Sequence, residues 1–135
     1  MPHYRIREAA ELLGVSDDTV RRWVDAGRLP ARSEGQQKVV DGAALAAFAQ
    51  DLAEAGDRPD PGPVVSRSAR NSFVGLVTHV VRDTVMAQVE VQSGPHRVVS
   101  LMSREAADDL GLEPGVLAIA TVKSTNVVVE LPARR

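Results

Sequence analysis

The chain has 135 residues, 44% of them apolar and 25% charged, enough for one medium domain or two small ones. Its net charge of −2 is too near zero for the whole chain to act as an electrostatic binder of nucleic acid or membrane, so any such contact must come from a local patch. With no cysteine, disulfides, zinc–thiolate centres and cysteine nucleophiles are excluded together.

The start, MPHYRIREAAELL, lacks an apolar core of signal-peptide length. No apolar run approaches the roughly 20 residues needed to span a bilayer. The expectation is a cytoplasmic protein with no membrane partner. Composition changes along the chain: Ala, Leu, Asp and Glu dominate the first part, and Val in alternating patterns dominates the last. Between them lies EAGDRPDPGPVVSR, whose three prolines and two glycines oppose both helix and sheet. The expectation is two domains, 1–54 and 68–132, joined by a stiff linker over 55–67.

In the first domain, Ile6, Ala9, Ala10, Leu12 and Leu13 stand at helical spacing, and Gly14 ends that helix. Ser16 is suited to cap a second helix, with Asp17 and Asp18 in its first turn and an apolar face of Val20, Trp23 and Val24. Gly27 stops it. Around SEGQQ, the segment Ala31–Val40 suggests a short hairpin. A third helix is expected from about Gly42 to Ala53, capped by Asp41, with Leu45, Phe48, Ala49 and Leu52 on one side.

The second domain reads as five Val-rich strands: FVGLVTHVV, TVMAQVEV, HRVVSLM, LAIATV and NVVVEL. Turn signals at Arg82-Asp83, Ser93-Gly94-Pro95 and Glu113-Pro114-Gly115 separate them. In SREAADDLGL, Ser103 can cap one short helix that Gly111 ends. The expected fold class is therefore α+β in two domains, a small helical unit followed by an OB-like five-stranded β-barrel with one short helix.

Two short helices joined by Gly14-Val15-Ser16 make a helix-turn-helix, whose second helix would enter the major groove. Thr19, Arg21 and Arg22 stand off its apolar face, and arginine can bond guanine bidentately. Residues 19–40 hold five basic and two acidic side chains, although residues 1–60 as a whole are net acidic. A charge pattern alone is met as well by a solvated basic face; turn, caps and the Trp-containing second helix together favour DNA. Trp23 itself shares the face of Val20 and Val24 and is expected in the core. Ala9-Ala10, Leu13-Gly14-Val15-Ser16, Thr19-Val20-Arg21-Arg22-Trp23 and Gly27-Arg28-Leu29-Pro30-Ala31 resemble the winged helix-turn-helix of MerR-like and excisionase-like regulators. The resemblance covers about residues 4–52. It implies double-stranded DNA as partner and makes Ala31–Val40 the wing, adding Arg32, Gln37 and Lys38 to the expected DNA contacts.

Ser68-Ala69-Arg70-Asn71 opens the second domain, and Val122-Lys123-Ser124-Thr125-Asn126 interrupts it between two strands. Each combines a cation with hydroxyls at a strand end. One reading is polar residues satisfying a turn, with Asn71 bonding the backbone at the strand start. The other is a tetrahedral dianion site, which calls for cations, hydroxyl donors and backbone N–H groups together. SARN, the glycine of FVGLV, SREAADDLGLEPG and KST resemble, in order and spacing, the molbindin family, the single-domain Mop form of the TOBE domain. This second resemblance covers about residues 67–132. It implies molybdate or tungstate as ligand, and oligomers with oxyanion sites between subunits. The implied ligands are Ser68, the Ala69 backbone and Arg70 from one side, Lys123 and Ser124 from another, and Ser103 at a position where the family often has Thr or Ser. His79 and His96 have no second histidine or carboxylate at metal-ligand spacing, so no metal beyond the oxyanion is expected.

No phosphate loop and no histidine or carboxylate cluster in a glycine-rich setting points to catalysis, so no catalytic residue is named. The expected function is a molybdate- or tungstate-responsive transcription regulator that is a homo-oligomer through its barrel. The alternative is a molybdate storage or buffering protein whose first domain is an architectural or protein-interaction module.

Overall fold

The structure, a computed structural model, describes residues 2–56, 62 and 68–133. It divides into two compact units, Met1–Asp57 and Arg58–Arg135. Most of the expected linker lies outside the described residues.

The first unit begins with strand β1 (His3–Arg5) and helix α1 (Ile6–Leu13). Glu8 reaches back to accept the Arg5 backbone N–H at 3.2 Å, closing the first turn of α1. Gly14 ends it at φ +71°, a left-handed conformation that a side chain would strain, and this lets the chain turn at once into helix α2 (Asp17–Asp25). Ser16 caps α2, its hydroxyl oxygen accepting the Thr19 N–H at 3.2 Å. The expected hairpin is present as β2 (Arg32–Glu34) and β3 (Gln37–Asp41), and β1 adds to it antiparallel in the order β1-β3-β2. Helix α3 (Gly42–Ala55) runs two residues further than expected.

Asp41 stands at the N-cap position of α3 but does not cap it. The Arg32 guanidinium engages its carboxylate instead. A charged donor nine residues away outcompetes the local backbone N–H, and the ion pair ties the hairpin to the start of α3.

The core of this unit is Ala9, Ala10, Val20, Leu29, Val40, Leu45 and Phe48. Ala9 and Ala10 are fully buried, small enough for α1 to lie close against its neighbours. Trp23 packs edge-on against Phe48, ring centroids 5.0 Å apart, as its place beside Val20 and Val24 implied. Burying Val20 and Leu29 contributes about 1.5–3 kcal/mol each.

The second unit is a four-stranded antiparallel sheet of β4 (Asn71–Arg82), β5 (Met86–Ser93), β6 (His96–Ser103) and β7 (Leu117–Val122), in the order β6-β5-β4-β7. Helix α4 (Arg104–Asp109) follows β6, and Ser103 caps it, accepting the Ala106 N–H at 3.1 Å. The inner face packs Val77, Ala87, Val89 and Val91 against Ala107 and Leu112. Edge strands β6 and β7, at opposite ends of the pairing order, line one apolar cleft of about 510 Å³ with Val89, Val91 and Leu112, so the sheet is strongly curled.

The fifth expected strand is not in this sheet. Ser124–Asn126 forms a single 3₁₀ turn, and the run after it pairs with no strand among the described residues. Val128, Val129 and Leu131 are 82%, 84% and 92% exposed. Alternation marks a segment able to form a strand, but a strand needs a partner edge, and none of the described strands brings one to the run. The sheet is thus a half-barrel, open between β6 and β7.

Candidate functional site

The register of β4 and β7 settles where the two polar segments of the second unit stand. Asn71 pairs with Val122, and Ser72 with Thr121. Arg70 and Lys123 are therefore each one residue beyond the same rung. The Asn71 side-chain amide donates to the Val122 carbonyl at 3.0 Å, binding the first segment to the second. The expectation that Asn71 serves the backbone holds, with the partner lying 51 residues away in sequence.

Arg70 and Lys123 are exposed, and neither makes an ion pair among the described residues. Two cations at one strand end with no ion pair among the described residues favour a bound anion. Ser68 is exposed and Ala69 half-buried next to Arg70. Ser124 opens the 3₁₀ turn, in which the Asn126 N–H bonds the Lys123 carbonyl at 2.9 Å. The register therefore puts the segment Ser68–Arg70 and the segment Lys123–Ser124 at the same end of the β4–β7 pair.

Ser103 does not join them. It pairs with Met86 at the far end of the sheet, beyond the Arg82 end of β4. On the order of 35 Å of strand separates the two ends of β4. Ser103 instead lines a cavity with Arg104 and the acids Glu105, Asp108 and Asp109. Arg104 follows it and bonds the Asp83 carbonyl at 3.2 Å, and Asp108 draws in Arg82 at 2.9 Å and Arg104 at 3.7 Å.

Below this cluster, the Asp83 carboxylate accepts the N–H groups of Met86 and Val85 at 2.6 and 2.7 Å. These bonds, Met86's foremost, hold its pKa below the ordinary 3.8. They fix the turn between β4 and β5.

In the first unit, Arg21, Gln37 and Lys38 line one cleft of about 520 Å³ between α2 and the hairpin. Arg5 and Arg7 line it as well. Neither was among the expected contacts, because the start of α1 meets the cleft only in three dimensions. Asp17 and Asp25 are the acids of the cleft. Arg21 pairs with Asp18 at 3.2 Å, and Lys38 with Asp25 at 3.8 Å. Arg22 is exposed and bonds the Thr19 hydroxyl at 3.3 Å. Thr19 is half-buried and engaged in the Ser16 cap. Arg32 lies outside this cleft, held by Asp41 and by Glu34 at 3.7 Å.

Residues 4–53 match the helix-turn-helix domain, and residues 67–129 match the TOBE domain. Molybdenum-pterin-binding protein 3 of Clostridium pasteurianum is 36% identical over 66 residues, which cover 48% of this chain and 97% of that protein. The chain belongs to the molbindin-type TOBE family. Its TOBE unit is the open sheet described above. The transcriptional repressor DcmR of Methylorubrum extorquens is 34% identical over 79 residues, 53% of this chain but only 29% of the repressor. A solved structure of the cytoplasmic molybdate-binding protein ModG with molybdate bound is 34% identical, covering 50% of this chain and 48% of that one, at a TM-score of 0.48. Among the described residues no group of three or more His, Cys, Asp or Glu could hold a metal ion, and no helix is long and apolar enough to cross a membrane.

Proposed function

We propose that the chain is a cytoplasmic transcription regulator whose DNA binding responds to molybdate or tungstate. It would read DNA with a helix-turn-helix domain over 1–54, tethered by 55–67 to an oxyanion-binding TOBE domain over 68–132. The observation that carries this reading is the shared strand end of Arg70 and Lys123, two cations without an ion pair among the described residues, in a chain that also bears a basic cleft against the second helix of a helix-turn-helix. The relative from Clostridium, named for binding a molybdenum-pterin, supports the ligand, and the repressor supports the DNA role.

One small helix-turn-helix binds DNA weakly, and two copies on paired half-sites gain by effective concentration. The open cleft between β6 and β7 and the exposed run Val127–Leu131 support a homo-oligomer in which this run of one copy closes the sheet of another. Ser103 would then contribute to a second oxyanion site completed by a neighbouring subunit.

The test is a gel-shift titration at fixed salt with DNA selected from a random-sequence pool, with and without molybdate. Melting curves run alongside. Molybdate or tungstate at 100 times its dissociation constant stabilises the folded state by about 2.7 kcal/mol per site, and sulfate does much less. Arg70→Ala or Lys123→Ala each costs roughly 1.5–3 kcal/mol of oxyanion affinity. If molybdate raises the melting temperature but leaves DNA affinity unchanged, the chain binds both without sensing. No response of the melting curve to any oxyanion defeats the ligand assignment.

A further inference from the structure

We propose that Asp25 sets the non-specific DNA affinity of the helix-turn-helix unit by competing with phosphate for Lys38. The inference rests on the DNA-binding reading above and goes beyond it in naming a residue that weakens binding. Lys38 is the one cation in segment 33–40, the part of the hairpin that would lie along the DNA backbone. Its ammonium sits 3.8 Å from the Asp25 carboxylate, and both groups are more than half exposed at the mouth of the cleft. The other cations with acidic partners here are held within their own element or within the hairpin and the start of α3: Arg21 by Asp18, Arg7 by Glu11, Arg32 by Asp41 and Glu34. The Asp25–Lys38 pair is different, because it spans from α2 to the hairpin.

Nothing in the helix calls for an acid there. Asp25 is the last residue of α2, where the helix dipole is negative and a carboxylate is unfavourable. It caps nothing, since the last turn closes through backbone bonds from Ala26 and Gly27 to Arg22 and Val24. Asp25→Asn is therefore expected to leave the fold intact. A carboxylate and a DNA phosphate are alternative anions for one ammonium. While Asp25 holds Lys38, one sequence-independent contact is suppressed, and binding depends more on base edges and on paired copies.

The test uses the full chain and fluorescence anisotropy with a short random-sequence duplex over a range of salt concentrations. Wild type, Asp25→Asn, Lys38→Ala and the double variant are compared. Asp25→Asn is expected to tighten binding about two- to fivefold at low salt, the equivalent of one exposed ion pair. It is also expected to steepen the log–log salt dependence by about one. In the Lys38→Ala background the same change has little effect. An equal gain in both backgrounds means Asp25 repels phosphate directly, and unchanged or weakened binding by Asp25→Asn means it does not restrain Lys38; either result overturns the proposal. If no variant binds any duplex, it is the DNA-binding reading that has failed.

Discussion

Asn71 and Val122 are joined twice, as register partners on β4 and β7 and through the Asn71 side-chain amide on the Val122 carbonyl at 3.0 Å. This one rung holds the segment bearing Ser68 and Arg70 against the segment bearing Lys123 and Ser124. Replacing the amide with an apolar group of similar size, Asn71→Leu, leaves a partly buried carbonyl without its side-chain donor. The cost is about 1 kcal/mol of stability. Molybdate affinity falls as well, although every proposed ligand is still present. Calorimetry on the folded variant checks this, and unaltered affinity would show that the rung does not position the cations.

Gly75 lies on β4 where the backbone of β5 comes too close for a side chain. A Cβ there would stand 2.2 Å from the Gln92 carbonyl oxygen. That atom is backbone, so the strand must move, and Gly75→Ala is expected to cost about 1–3 kcal/mol. The loss falls on the TOBE unit. Trp23, the single tryptophan, reports the other unit by fluorescence. Its transition is expected to stay in place while the β-sheet circular dichroism signal melts earlier.

Much of this fold could be read from residue spacing, and the exceptions share a cause. The limits of α1 followed from Ile6 to Leu13 and the glycine after them, and the sheet strands from alternating valines, because both signals are local. The capping failure of Asp41 was hidden because its competitor, Arg32, arrives through the hairpin. The alternation of the last run was visible, but not the lack of a partner edge. In the candidate site the residue types were legible and their assembly was not. Ser68–Arg70 and Lys123–Ser124 lie more than 50 residues apart in sequence, and only the β4–β7 register shows that they share an end while Ser103 does not.

Asp83 gives the TOBE unit a predictable response to acid. Its folded pKa is depressed below 3.8 by the Met86 and Val85 N–H groups it accepts. A depressed carboxylate stabilises the fold fully above its unfolded value, and that contribution is lost as pH falls through the folded value. Asp83→Asn keeps an oxygen acceptor and removes the titration. Melting temperatures measured down through pH 3.8 are therefore expected to fall less steeply for the variant than for wild type. Parallel curves would mean that the turn does not carry this linkage.

The exposed run after β7 bears on both proposed activities. Val128, Val129 and Leu131 are exposed, while the cleft between β6 and β7 presents the two edge strands of the described sheet and an apolar lining. Unpaired edges and exposed valines are each a liability for a lone chain, and they are relieved together if the run of one copy pairs in the cleft of another. Replacing Val128 and Val129 with serine removes the apolar contribution without touching the four-stranded sheet. The double variant is expected to keep its β-sheet circular dichroism signal but to show a lower subunit count by native mass measurement. DNA affinity on paired half-sites then falls toward that of a single helix-turn-helix, because the second binding event is no longer intramolecular. Binding to a single half-site is unchanged, since Arg21 and Lys38 are untouched. If the variant keeps the wild-type mass, the copies associate through some other surface, and the run has a different role.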